Sequence, residues 1–327
     1  MRTRTRTVAL VASSLAVTLG CTPPANNAAA TPVPPARWGA AITEPRVVMD
    51  TVHITDGRDS IGAYIARPPG GGRRPAVIVI HALRLTEPYI ASTTAMLAEA
   101  GFVALAVDVF HFLPGNATWE DAQRTPRDTI NAVVGREFRE PRLVRNVGAA
   151  IEFLRRQPDV DPGSVALLGF CGGGWNSLLL SAQLRDVGSV VAFYAPVGIS
   201  DVQHRSPLEL ASFIRVPVLF HRATNDQWVP LADVERFETA LRGQGTPIER
   251  IDYTAGHGFF AWNRDHVFNA TEATRAWTET VRFLRQHAGR PIQARALAPS
   301  RTSLRMQTPG RDQATRHAAM HVPHASH

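Results

Sequence analysis

Between about residues 46 and 288 the chain switches repeatedly between two hydrophobic rhythms. Some stretches are apolar at nearly every position, and others are apolar only every third or fourth residue. "VVMDTVHI" (47–54) and "IGAYIARP" (61–68), joined by "TDGRDS", predict an opening hairpin. "AVIVIH" (76–81) and "FVALAVD" (102–108) predict buried strands, with a helix from Pro88 to Ala100 between them. A long helix carrying Val144, Ala149, Ile151 and Leu154 on its apolar side ends near Gln157. Then come a strand "SVALLGF" (164–170), a helix through "WNSLLLSAQL" and a strand "VGSVVAFYA" (187–195). After them follow "VPVLFH" (216–221), a helix with Val234, Phe237 and Leu241 on one face, and "IERIDY" (248–253). A last helix places Trp277, Val281 and Leu284 on one side.

Strands that are apolar throughout need cover on both faces, and amphipathic helices between them provide it. The pattern therefore predicts a single α/β domain over residues 46–290, a mainly parallel sheet with helices on both faces. No internal repeat is present.

Charge narrows the function classes. The net charge of +7 is carried entirely by arginine, since the chain contains no lysine. Residues 21–290 hold 27 arginines against 27 acidic residues, so the basic excess lies in the two tails. A nucleic-acid partner is not expected for the body. No HExxH, CxxC pair or phosphate-binding loop is present, and neither a metal nor an organic cofactor is expected.

The N-terminus joins "MRTRTRT" to "VALVASSLAVTLG", a positive stretch followed by a short apolar run, which predicts a signal peptide over residues 1–20 and an exported protein. Gly20-Cys21 closes that run and resembles the lipobox of bacterial lipoproteins, departing from it at Thr18 and Leu19. Two readings stay open: a lipidated Cys21 holding the protein to a membrane, or simple secretion with cleavage near the alanines at 28–30. Residues 21–45, rich in Pro and Ala, read as a tether. Residues 291–327 read as a disordered basic tail whose four histidines are a solvated low-complexity end.

Chemistry in a parallel sheet gathers at the carboxyl ends of its strands. Cys171 stands directly after "SVALLGF" and directly before a helix, within Gly169-Phe170-Cys171-Gly172-Gly173. That frame is G-x-C-x-G, the thiol form of a nucleophile elbow. Glycines two before and two after leave room for a strained strand-to-helix turn. The helix N-terminus favours thiolate, and the Gly172 N–H can face a developing oxyanion. Taken alone, the motif also fits a buried structural cysteine. Asp226 follows "VPVLFH", and His257 follows "IERIDY" between Gly256 and Gly258. The order nucleophile, acid, base, each after its own strand, is that of α/β-hydrolase triads.

These stretches, "GFCGGG", "VPVLFHRATNDQWVP", "AGHGFF" and "DVF" (108–110), resemble the dienelactone hydrolase family over about residues 46–288. The resemblance implies an α/β-hydrolase fold and a Cys-Asp-His triad acting on esters and lactones. Cys171 would be nucleophile, His257 base, Asp226 its orienting acid, and the backbone N–H groups of Leu83 and Gly172 the oxyanion hole. Two departures are visible. Ala82 stands where the family has a glutamate near the thiol, and either Glu87, further along the same loop, takes its place or nothing does. Phe112 and Ala261 stand where the family has substrate-binding arginines. Phe110, Phe112, Trp228, Phe259 and Phe260 lie near the site in sequence, which suggests an apolar or neutral ester. The expected function is ester or lactone hydrolysis through a Cys171 thioester. The alternatives are a non-catalytic binding or surface protein that keeps the fold, and acyl transfer to an acceptor other than water.

Overall fold

The computed structural model describes residues 33–82, 84–113, scattered positions between 124 and 133, 140–163, 165–200 and 205–289. The export segment, Cys21, Leu83 and the basic tail fall outside them.

Eight strands form one sheet: β1 (Val48–Thr55), β2 (Ser60–Arg67), β3 (Ala76–Ile80), β4 (Val103–Val107), β5 (Val165–Phe170), β6 (Val187–Phe193), β7 (Val218–Asn225) and β8 (Ile248–Gly256). Their spatial order is β1-β2-β4-β3-β5-β6-β7-β8. The hairpin β1–β2 is antiparallel and joins β4 antiparallel, while every pairing from β4 to β8 is parallel. Every residue of β3, β4 and β5 is buried, so both faces of the sheet centre are covered.

The cover comes from α2 (Pro88–Glu99), α3 (Glu140–Arg155), α4 (Gly172–Ser181), α6 (Leu231–Gly243) and α7 (Ala270–His287), with two short helices, α1 (Ala40–Thr43) and α5 (Pro207–Leu210). The expected faces of α6 and α7 are buried as patterned. On α3 the buried stripe is Leu143, Val147, Ala150, Ile151 and Leu154, whereas Val144 and Ala149 are only half-buried. The stripe follows the 3.6-residue period from Leu143, so those two flank it.

Chain order and sheet order give the site its position. From β3 the chain crosses through α2 to β4 on one side, then through α3 to β5 on the other. The direction of winding therefore reverses between β3 and β5, and a crevice opens there above the carboxyl ends. Cys171 leaves β5 at that point.

One expectation is corrected. Residues 33–45, read from composition as tether, lie against the domain. Ala41 is fully buried, and Trp277 Nε1–H donates to the Pro34 carbonyl at 2.9 Å. Proline limits regular structure here, but it does not prevent the chain from packing when Trp38 and Arg37 supply the contacts.

Candidate active site

Helix α4 begins at Gly172, three residues before the periodicity places it, because three glycines in a row mask a helix start. Cys171 precedes it with φ 52° and ψ −116°, a conformation that a residue with a side chain rarely adopts. Its N–H donates to the Phe193 carbonyl at 2.9 Å, and its own carbonyl accepts from the Trp175 N–H at 3.0 Å. The turn is tight enough to specify its flanks. A Cβ on Gly169 would sit 2.1 Å from the Gly173 carbonyl oxygen, and one on Gly173 would sit 2.1 Å from that of Ile80. Strand β3 is pressed against the elbow, and the Ala82 carbonyl, just past its end, lies close to Gly172.

Asp226 and His257 emerge from neighbouring strands. Asn225 of β7 pairs in register with Gly256 of β8, so Asp226 and His257 are the next residue on each. His257 Nδ1 lies 2.6 Å from Asp226 Oδ2, and the other carboxylate oxygen accepts the Trp228 N–H at 2.9 Å. The Asp226 side chain is wholly buried, while that of His257 keeps 27% of its surface. Burial alone would depress the imidazole pKa. Hydrogen bonds to Asp226 and to Cys171, together with their negative charge, outweigh it and push His257 up to about 9. With Nδ1 turned to the carboxylate, Nε2 is the ring nitrogen left to accept and return a proton on the Cys171 side.

Tyr194 supports the base from below. It follows β6 with φ 39°, donates its N–H to the His221 carbonyl at 2.7 Å, and places its ring 4.9 Å from the His257 ring. Burial and then the charge of Cys171 keep its phenol firmly protonated. The hydrophobic pattern puts this residue inside the strand predicted over 187–195, whereas the strand ends at Phe193, and nothing else in the sequence marks it.

The expected aromatic wall divides on inspection. Phe110 is buried beside His81, with ring centroids 5.6 Å apart. Phe112 is half-buried under the Arg142 guanidinium, 4.9 Å from its ring. Trp228 is exposed next to the acid. Phe259 and Phe260 have no open face: Phe259 packs on Tyr194 and Tyr253, and Phe260 packs on Phe170 and Phe193. They belong to the core behind the triad, and not to a surface that meets substrate.

Two arginines that the sequence reading passed over stand close by. Arg264, seven residues after His257, donates to Glu87 Oε2 at 2.6 Å, and Glu87 is only 2% exposed. Burial raises the Glu87 carboxyl pKa against the pull of Arg264, His81 and Arg84. Glu87 is thus paired with a cation, at the N-cap of α2. Arg84, on the loop after β3, is buried, and neither of its Nη atoms has a hydrogen-bond partner. Burial lowers its pKa, partly offset by the charges of Asp108 and Glu87. Among the described residues no group of three or more His, Cys, Asp or Glu side chains is placed to hold a metal ion.

Comparison with known proteins identifies the family of the domain. The dienelactone hydrolase family model matches residues 61–288. A Bradyrhizobium protein named for 2-oxo-3-(5-oxofuran-2-ylidene)propanoate lactonase activity is 31% identical over 248 residues, 74% of this chain and 95% of its own length. A carboxymethylenebutenolidase from a Pseudomonas species is 28% identical over 236 residues, covering 70% of this chain and 92% of that one. Among solved structures, a dienelactone hydrolase-like promiscuous phosphotriesterase from metagenomic libraries superposes with a TM-score of 0.61 at 24% identity. It covers 73% of this chain and 98% of its own, and at that identity it speaks for the fold alone. With the family model and the Bradyrhizobium relative both spanning the domain that holds the elbow, the chain belongs to the dienelactone hydrolase family and is a hydrolase of ester or lactone bonds.

Proposed function

We propose that the protein is an exported ester or lactone hydrolase that works through a Cys171 thioester. The observation that carries the reading is a cysteine held at φ 52° on the elbow, beside a His257 that is itself 2.6 Å from a buried carboxylate. His257 takes the proton from Cys171, directly or as a standing ion pair, and the sulfur attacks the acyl carbon. The Gly172 N–H, at the start of α4, and the Leu83 N–H receive the oxyanion. One such donor is typically worth roughly 3–4 kcal/mol. The carbonyl reforms as the C–O bond breaks, and His257 protonates the leaving oxygen. Water, deprotonated by His257, then cleaves the thioester and restores the thiolate.

The Arg84 guanidinium favours a more specific reading of the substrate than the aromatic residues do. A buried cation with two unpartnered nitrogens is costly until an anion meets it. It supports an ester or lactone bearing a carboxylate, in place of the neutral ester that Phe112 and Ala261 suggest. The Bradyrhizobium relative is named for a propanoate, which is in keeping with this.

The first test is hydrolysis of matched neutral and carboxylate-bearing esters with and without iodoacetamide. Iodoacetamide-sensitive turnover that Cys171→Ala abolishes supports the thiol mechanism, and turnover that survives both ends it. A preference for the charged ester that Arg84→Met removes supports the anionic substrate. Added alcohols or amines that capture the acyl group would redirect the reading to transfer. Export and anchoring at Cys21 are checked by whether Cys21→Ser moves the protein from the membrane to the soluble fraction.

A further inference from the structure

The segment before the hairpin ties together two parts of the site that the sheet does not join directly. Residue by residue, it grips α2 on one side. The Arg37 side chain pairs with Glu99, the Arg37 N–H donates to Met96 sulfur at 3.1 Å, and the Ser92 hydroxyl donates to the Trp38 carbonyl. On the other side it grips the loop after β8. The Trp38 ring stands edge-on between Phe260 at 5.2 Å and Phe268 at 5.3 Å, and Gly39 lies flat against the Trp262 ring.

That loop is a closed unit. The Asn269 N–H donates to the Phe259 carbonyl at 3.0 Å, so Phe260 and Phe268 lie on its two legs and His257 stands just outside its neck. Helix α2, in turn, directly follows the loop that holds Arg84. From Phe260 the aromatic packing continues to Phe170, at 5.3 Å, the residue before Cys171.

We propose that residues 33–45 form a strap that positions the catalytic base, with Trp38 as the residue through which it acts. The proposal rests on the thiol mechanism above, because it assigns the strap a part in keeping His257 against Cys171 and Asp226. Trp38 touches no reacting atom and is a positioning residue. Its ring fills the space between the loop's two legs, so removing it lets Phe260 relax outward, and His257, three residues away, can shift with it. Displacements of about 1 Å at a reacting group can cost on the order of 100-fold in rate. The elevated pKa of His257 depends on the same short contacts, so a looser loop returns it toward the ordinary histidine range.

The test compares the full-length wild type with Trp38→Ala, Trp38→Phe and Ser92→Ala, well below each melting temperature. For Trp38→Ala we expect kcat to fall by about tenfold or more and the basic limb of the pH profile to move down from near 9. Trp38→Phe, which keeps a ring between Phe260 and Phe268, should restore most of both. If Trp38→Ala lowers the melting temperature but leaves kcat and the basic limb in place, the strap is only structural and the proposal is overturned. Should Trp38→Ala fail to fold, Ser92→Ala decides: the same downward limb shift supports the strap, and an unchanged limb overturns it. Cys171→Ala runs in parallel on the same substrate. Survival of turnover there ends the thiol mechanism, whereas its loss beside an unchanged Trp38→Ala profile ends the strap proposal alone.

Discussion

Asp226 and His257 meet at 2.6 Å, and the carboxylate that makes the contact has no exposed surface. A buried negative charge of this kind is tolerated because the Trp228 N–H and the imidazole both satisfy it. Asp226→Asn keeps the shape and removes the charge. The basic limb of kcat/KM should then move down from about 9, and turnover should fall by roughly 10³- to 10⁴-fold. The raised pKa of His257 also has a sign for stability. Its contribution is fully present below pH 6.5 and is lost as pH rises through about 9, so Asp226→Asn should flatten the decline in melting temperature on the alkaline side.

His221 behaves in the opposite sense. It is fully buried, with Nδ1 2.7 Å from the Tyr253 hydroxyl and Nε2 2.9 Å from that of Thr280. Burial, assisted by Arg275 and Arg282, holds its pKa at about 3. The unfolded chain takes up a proton near 6.5 and the folded one does not. Stability present above 6.5 is therefore lost progressively as pH falls from there toward 3, by about 2 kcal/mol at pH 5. Melting curves between pH 7 and 5 should show a shallower acid slope for His221→Gln than for the wild type.

The elbow glycines predict a graded series. At Gly173 an added methyl meets the Ile80 carbonyl at 2.1 Å, and backbone cannot move aside. Gly173→Ala should cost more than about 3 kcal/mol and give little folded protein. At Gly172 the nearest atom is the Ala82 carbonyl at 3.3 Å. Gly172→Ala should therefore fold, and circular dichroism with a denaturant titration separates the two.

The Glu87–Arg264 pair predicts an asymmetry. Glu87 is buried and Arg264 is about one-third exposed, so each loses something different when its partner is removed. Arg264→Met strands a buried carboxylate and should cost roughly 3–5 kcal/mol, less at low pH where the group protonates. Glu87→Gln leaves a guanidinium that can turn to water, and the loss should be clearly smaller. Urea unfolding at pH 5 and 8 distinguishes them.

The central strands were legible because burial on both faces leaves an unbroken apolar run, and Cys171, Asp226 and His257 stood out because each follows a predicted strand, although the one before His257 is mixed in polarity. Strands β7 and β8 run on to Asn225 and Gly256, past the apolar runs that end at His221 and Tyr253. There backbone pairing continues beneath polar side chains, which hydrophobic rhythm does not register. Phe259 and Phe260 looked like substrate contacts because they sit near His257 in the chain, yet a loop that turns back on itself sends them into the core. Arg84, Tyr194, Arg264 and Trp38 acquire their meaning only through neighbours distant in sequence. A reading by local pattern passes over them for that reason.

The register that sets Asn225 opposite Gly256 means that Asp226 and His257 take their separation from the spacing between two hydrogen-bonded strands. The sheet works as a ruler, and the loops beyond it are not needed to measure that distance. Segments over the crevice can thus lengthen, shorten or change composition while the proton relay keeps its dimensions. New substrate preferences are open to this scaffold through its loops, with the chemistry left in place.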